Sequence, residues 1–169
     1  VLGPTGEAIL HRLDHEQHNL RAALAWSASP AGDPALGLRI LGLTWRWFQQ
    51  RAHLREGRAT ARQLLDAPGS HADARARIAG LTADGGIAYW MDDNDGARAS
   101  YQERLVLAES TGDPRLIADA NYDLGFTSMV AGDATSLLAN ERLALRLYEQ
   151  LGDVDSILRA RQATVLATF

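Results

Sequence analysis

Between residues 34 and 50, apolar side chains recur in two sets: Leu36, Ile40, Leu43 and Trp47 along one stripe, and Leu38, Leu41, Trp45 and Phe48 along another. Spacings of three and four residues place each set along one face of a 3.6-residue helix. A helix that is apolar on two faces has to be covered from two sides, which a row of stacked helix pairs can do and a single hairpin cannot. The same pattern predicts eight helices, at approximately 14–29, 34–50, 53–66, 72–91, 94–110, 114–131, 134–150 and 154–167. No segment shows the strict alternation and β-branched enrichment of a strand.

Turn chemistry punctuates these helices at a twenty-residue pitch. Gly32-Asp33, Gly112-Asp113, Gly132-Asp133 and Gly152-Asp153 lie on one grid, which Ala52-His53, Ala72-Asp73 and Asp92-Asp93 fill in. Glycine accepts the left-handed conformation that ends a helix, and the following Asp can accept from the free N–H groups of the next one. Pro34 and Pro114 then stand at the first helical position, where a missing N–H costs nothing. Each helix between such turns spans roughly 24 Å.

Helices joined this tightly are antiparallel neighbours, and a forty-residue helix pair repeated along a chain predicts a solenoid. Residues 105–113 (LVLAESTGD) recur at 145–153 (LRLYEQLGD) with that shift. The expected fold is all-α, a right-handed superhelix of antiparallel pairs. It has a capping helix in 1–33, pairs at 34–71, 72–113 and 114–153, and the first helix of a further repeat at 154–169. The ends of the sequence, VLGPTGEAIL and ATVLATF, read as the edges of a piece of a larger protein.

Composition narrows the chemistry. A hydrophobic fraction of 46% with 22% charged residues is that of a folded chain, and no apolar run approaches the length of a membrane span. All 17 basic residues are arginine, so no P-loop lysine, Schiff-base lysine or Ser-Lys dyad exists. The absence of cysteine removes disulfides, thiolate nucleophiles and Cys-based zinc sites. A net charge of −4 disfavours direct nucleic-acid binding, which depends on clustered cations.

Inside alternate helices a second motif repeats: Leu41-Gly42 with Trp45, Gly85-Gly86 with Tyr89, and Leu124-Gly125 with Ser128. A Leu-Gly pair, an aromatic three residues on, a Gly-Asp turn and an Ala/Leu-rich second helix resemble the tetratricopeptide repeat (TPR). Gly42, Gly86 and Gly125 would then allow close approach inside a pair. Two departures stand out: Gly85 replaces the leucine in one copy, and Ser128 the aromatic in another.

Over residues 13–67, LDHEQHNLRAALAW followed by LGLTWRWFQQRAHLREG resembles the start of the helical region in large bacterial signal-transduction ATPase regulators. These are the multidomain LuxR-type and related antibiotic-regulatory activators of actinobacteria. The likeness extends through Leu151-Gly152-Asp153. It implies a cytoplasmic, non-enzymatic sensor without a cofactor of its own. Such a sensor receives a protein or small-molecule effector and works in cis with NTPase and DNA-binding domains. A stand-alone TPR adaptor, or the helical region of a cyclase- or kinase-linked regulator, is the alternative implication. An open solenoid end at Phe169 would also allow pairing with a second copy.

In the register of the Leu-Gly-x-x-Trp motif, Trp45 points into its helix pair. Arg39, Leu43, Arg46 and Trp47 then turn toward the concave side, joined by Ile87, Trp90 and Met91 and by Asp119, Tyr122, Phe126 and Met129. Trp47, Trp90, Tyr122 and Phe126 are the expected anchors, with Met91 and Met129 beside them and Arg39 or Arg46 positioning an acidic group. The competing reading makes these aromatics ordinary core. His11, His15 and His18 have spacings compatible with zinc, but Asp14 and Gln17 read as a capping box that starts the helix near His15 and takes His11 off its face. Asp92-Asp93-Asn94-Asp95 reads as helix capping and not as a calcium loop, since Gly96 occupies a position that needs an oxygen ligand.

Overall fold

The computed structural model describes the backbone of residues 4–166 and the side chains of residues 6–162. Eight helices account for most of the described chain: α1 (Pro4–Ser27), α2 (Pro34–Gln50), α3 (Leu54–Leu65), α4 (Ala74–Trp90), α5 (Asn94–Thr111), α6 (Pro114–Val130), α7 (Ala134–Leu151) and α8 (Val154–Leu166). The described residues contain no strand. The chain divides into two compact units, residues 1–90 and 91–169. The pair expected over 72–113 therefore contributes one helix to each.

The turn grid has the physical basis its residues suggest. Asp33, Asp73, Asp93, Asp133 and Asp153 each accept from a backbone N–H three residues on, at 2.9–3.1 Å. Asp113 accepts from Arg115 and Leu116. A cap of this kind is worth about 1 kcal/mol. Gly112, Gly132 and Gly152 adopt φ values of 66°, 71° and 68°, the left-handed conformation that closes a helix. Ala52 and Asp92, at the equivalent grid points, are left-handed too, with φ of 58° and 60°. The geometry of the turn thus outlasts its glycine.

The N-terminal helix departs from expectation. It begins at Pro4 and runs unbroken through Asp14, so there is no capping box at 14–17 and His11 lies on the helix. Asp14 is engaged elsewhere, by Arg51 and Trp47 of the next helix hairpin.

In the first unit α2 packs against α1, α3 and α4, and α3 packs against α4. Arg39 pairs with Asp73 just ahead of α4, Gly42 lies on Ala79, and the Trp45 ring lies on Gly86. These ascending matches make α2 and α4 parallel, with α3 returning between them. A Cβ on Gly42 would stand 2.7 Å from the Cβ of Ala79, and one on Gly86 would stand 2.7 Å from the Trp45 ring. Both glycines therefore serve contact between successive pairs rather than within one, a correction to their sequence assignment. Gly57 of α3 provides a similar approach to Phe48 and Ile87.

Leu38, Leu41, Trp45 and Phe48 are all buried, whereas only Trp47 is buried in the other stripe of α2. Leu36 and Leu43 are exposed, Leu43 at 87%. One apolar face of α2 is thus fully covered within the unit and the other largely is not.

In the second unit α5 packs on α6, α6 on α7, and α7 on α8. Arg115 reaches Asp153 and Ser156, and the guanidinium of Arg159 stands 5.5 Å from the Tyr122 ring centre. Here also the alternate helices, α6 and α8, run parallel. Ala118, Ala144, Tyr148 and Ala160 form the core of this unit, with Tyr122, Leu145, Leu147 and Ile157 packed around it.

Candidate functional site

The expected site residues fall into three groups. Trp47 is not available to a ligand. It is 1% exposed, its ring packs edge-on to Phe48 and beside His53, and Arg21 covers one face at 5.4 Å. Its indole N–H donates to Asp14 at 2.8 Å. The placement fails because α1, through Asp14 and Arg21, covers the Trp47 end of that stripe of α2. Ile87, also expected on the open side, is fully buried beneath Gly57.

Arg39 and Arg46 are exposed but engaged. Arg39 forms an ion pair with Asp73, and Arg46 stacks over the Trp45 ring at 4.5 Å. Each could reach a ligand only by giving up its present partner. The cation–π contact is worth about 0.5–1 kcal/mol at an exposed site.

Trp90, Met91, Tyr122, Phe126 and Met129 retain surface. Trp90, at the end of α4 in the first unit, is 54% exposed with Tyr89 packed edge-on beside it. Met91 and Met129 are exposed in the second unit. Tyr122 and Phe126 lie one turn apart on α6, half-buried, with ring centres 5.1 Å apart in an edge-to-face contact. Met129 continues that stripe. Burial, and then the nearby Glu141 carboxyl, push the Tyr122 hydroxyl above its usual range, so it is a neutral donor at physiological pH.

Polar groups surround this stripe in the second unit. Asp119 accepts from the Tyr148 hydroxyl at 2.7 Å and from Arg115 at 3.0 Å. Arg104 pairs with Asp123, and Arg159 donates to Ser156 at 2.8 Å while covering Tyr122. The arginines are thus largely spent on internal carboxylates, and the partly exposed surface they frame is aromatic and thioether.

On the other side of α6 a cleft of about 320 Å³ opens between α5, α6 and α7. Arg98, Gln102, Leu124, Ser128 and Asn140 are among its lining residues. Sequence reasoning did not assign this cleft, although a signal for it was present. Ser128 stands where the other copies of the motif carry Trp45 and Tyr89, and replacing a ring by a hydroxymethyl leaves space between helices.

Asp93 accepts from the N–H of Gly96 at 3.0 Å, the capping role expected of the acidic run after α4. Among the described residues no three His, Asp or Glu side chains converge in a way that would hold a metal ion. None of the described helices is long and apolar enough to cross a membrane.

No family model matches the chain, and no curated protein matches it in sequence.

Proposed function

We propose that this chain is a TPR-like sensor region that binds an effector or partner protein for a larger bacterial transcription regulator. The observation that carries the binding reading is the double exposure of α6. Tyr122, Phe126 and Met129 present an apolar, polarisable stripe on one side, and the cleft around Ser128 offers Arg98, Gln102 and Asn140 on the other. Aromatic, Met and Arg side chains are the types enriched where partners dock, and a cleft of this size suits a small polar molecule. The parallel course of alternate helices within each unit supports the TPR-like reading.

The regulator assignment rests on the resemblance of residues 13–67. In this reading the region carries no cofactor, and it acts with NTPase and DNA-binding domains of the same polypeptide. The effector shifts the regulator only as far as it binds the active state better than the resting one. Trp90 of the first unit and Met91 of the second are exposed, each on its own unit, whereas Trp47 is scaffold.

Two measurements test the proposal. Extending the reading frame on both sides should reveal NTPase and DNA-binding modules, and a frame holding only helical repeats would favour the stand-alone adaptor. In the native bacterium, Phe126→Ala with Met129→Ala should abolish induced transcription while the circular dichroism of the purified chain stays helical. Unaltered induction by that double variant would remove the Tyr122-Phe126-Met129 stripe of α6 as the binding element.

A further inference from the structure

Glu141 lies on the face of α7 that packs toward α6 and is fully buried. Its register, with Leu137, Ala144 and Tyr148, is that of a core position. Among the described residues neither carboxyl oxygen has a hydrogen-bond partner. One of them lies 2.7 Å from the point where a Cβ on Gly125 would stand, so the missing side chain of Gly125 is what admits the carboxyl to the α6 surface. Gly125, itself buried, lies one helical turn from both Tyr122 and Met129 on α6 and so borders the partly exposed stripe.

The first unit shows what a charge-paired buried acid looks like. Asp84 in α4 is equally buried, and Arg58 and Arg62 of α3 reach it at 2.6 and 3.0 Å. Glu141 has no such arrangement. The charged and titratable groups that act on Glu141 or on its neighbours Tyr122 and Tyr148 are Asp119 and Asp123 of α6 and Arg159 of α8. Arg104 of α5, which could have served, is bound to Asp123 and to the carbonyl of Asp119. Arg159 is held by Ser156. What reaches Glu141 is therefore low dielectric and the negative charge of Asp123.

We propose that the contact between α6 and α7 is a proton-gated joint, closed when Glu141 is a neutral acid seated on Gly125 and loosened when it becomes a carboxylate. An unpaired carboxylate is strongly disfavoured in this position, because it is fully buried and no described side chain or backbone N–H donates to it. Burial, reinforced by Asp123, pushes the Glu141 carboxyl up to about 8. The linkage sign follows. Between the ordinary glutamate value of 4.5 and about 8 the folded chain holds a proton that the unfolded chain has released. Closure of the joint therefore weakens by up to about tenfold per pH unit across that window and levels off above it. Physiological pH lies inside the window, and the stripe of Tyr122, Phe126 and Met129 rides on the joint. The pH response stands on this geometry alone and does not require the effector reading.

Hydrogen–deuterium exchange of the full chain, corrected for intrinsic rate and followed from pH 6 to pH 9, tests it. Protection of α6 and α7 amides should fall by at least tenfold in the natural sequence and stay level in Glu141→Gln, which keeps the shape without the charge. Equal loss in both, or no loss in either, overturns the proposal. Direct titration of the Glu141 carboxyl by carbon-13 NMR keeps the question decidable if the variant does not fold. A midpoint well above those of the other glutamates supports the joint, and one in the ordinary carboxylate range overturns it.

Discussion

The indole N–H of Trp47 donates to a carboxylate oxygen of Asp14 at 2.8 Å. The same carboxylate takes two further hydrogen bonds from Arg51, at 2.8 and 2.7 Å. Trp47 and Arg51 are one turn apart at the end of α2, so this three-way contact fastens α1 across the hairpin. Glu56 of α3 supplies a second fastening through a two-pronged contact with Arg21, one prong at 2.9 Å. The aromatic side chain that looked most like a ligand anchor is a structural clamp.

Trp47→Ala should therefore destabilise the first unit by about 3–5 kcal/mol, the usual cost of removing a buried aromatic. Trp90→Ala, at an exposed helix end, should stay within about 0.5 kcal/mol. All four tryptophans, at 26, 45, 47 and 90, lie in the first unit, so denaturant unfolding followed by tryptophan fluorescence reads this unit alone. Equal effects of the two substitutions would refute the burial contrast.

Acid should weaken the same clamp. The hydrogen bonds from Arg51, then that from Trp47, hold the Asp14 carboxyl far below the usual carboxylate range. A depressed acid stabilises the fold fully above its unfolded-state value and loses that contribution as pH falls toward the folded-state value. The fluorescence-detected stability of the natural chain should thus decline between about pH 5 and pH 2 more steeply than that of Asp14→Asn. The Asn variant starts lower at neutral pH because it cannot accept from Arg51 as a charged partner. Parallel acid profiles would show that Asp14 is not the group responsible.

Helix count, the boundaries of α2 to α8 and the turns were legible because they depend on local chemistry: an Asp that caps its own helix, or a glycine that accepts positive φ, needs no distant partner. The fate of Trp47 was not local. Trp47 shares its stripe on α2 with the exposed Leu43, and only the course of α1, which brings Asp14 and Arg21 over Trp47, separates the sealed turn from the open one. The buried acids were equally hidden. Glu141 and Asp84 look in sequence like solvated positions on helices, and the glycine or arginine that receives each lies on another helix. The Ser128 cleft was readable in principle, from a motif copy that lacked its ring.

Asp84 should be among the least replaceable residues of the first unit. Its carboxylate is fully buried against Arg58 and Arg62, and Arg58 is itself only 14% exposed. Removing one side of a buried pair leaves a charge in low dielectric, which costs about 3 kcal/mol or more. Asp84→Ala should lose that amount in denaturant unfolding, and adding Arg58→Met should restore part of it by withdrawing the stranded cation. Failure of the second substitution to recover any stability would mean that lost packing, and not an unpaired charge, dominates.

The turn grid offers a gain of stability. Ala52 occupies the left-handed conformation at φ 58°, and its N–H together with that of His53 closes the end of α2 on the carbonyls of Gln49 and Phe48. A residue with a Cβ is strained there by about 1–2 kcal/mol, while glycine gives back part of that through the greater freedom of the unfolded chain. Ala52→Gly should therefore stabilise the first unit by about 0.5–1 kcal/mol, against the usual direction for an Ala-to-Gly change. Asp92→Gly should gain less, because Asp tolerates this conformation better than Ala does. The reverse exchange at Gly132, where a new Cβ would meet nothing within 4 Å, isolates the backbone effect and should cost about 1 kcal/mol in unfolding followed by circular dichroism. If Ala52→Gly instead destabilises the chain, as it would at an ordinary helical position, α2 does not end in the left-handed turn described for it.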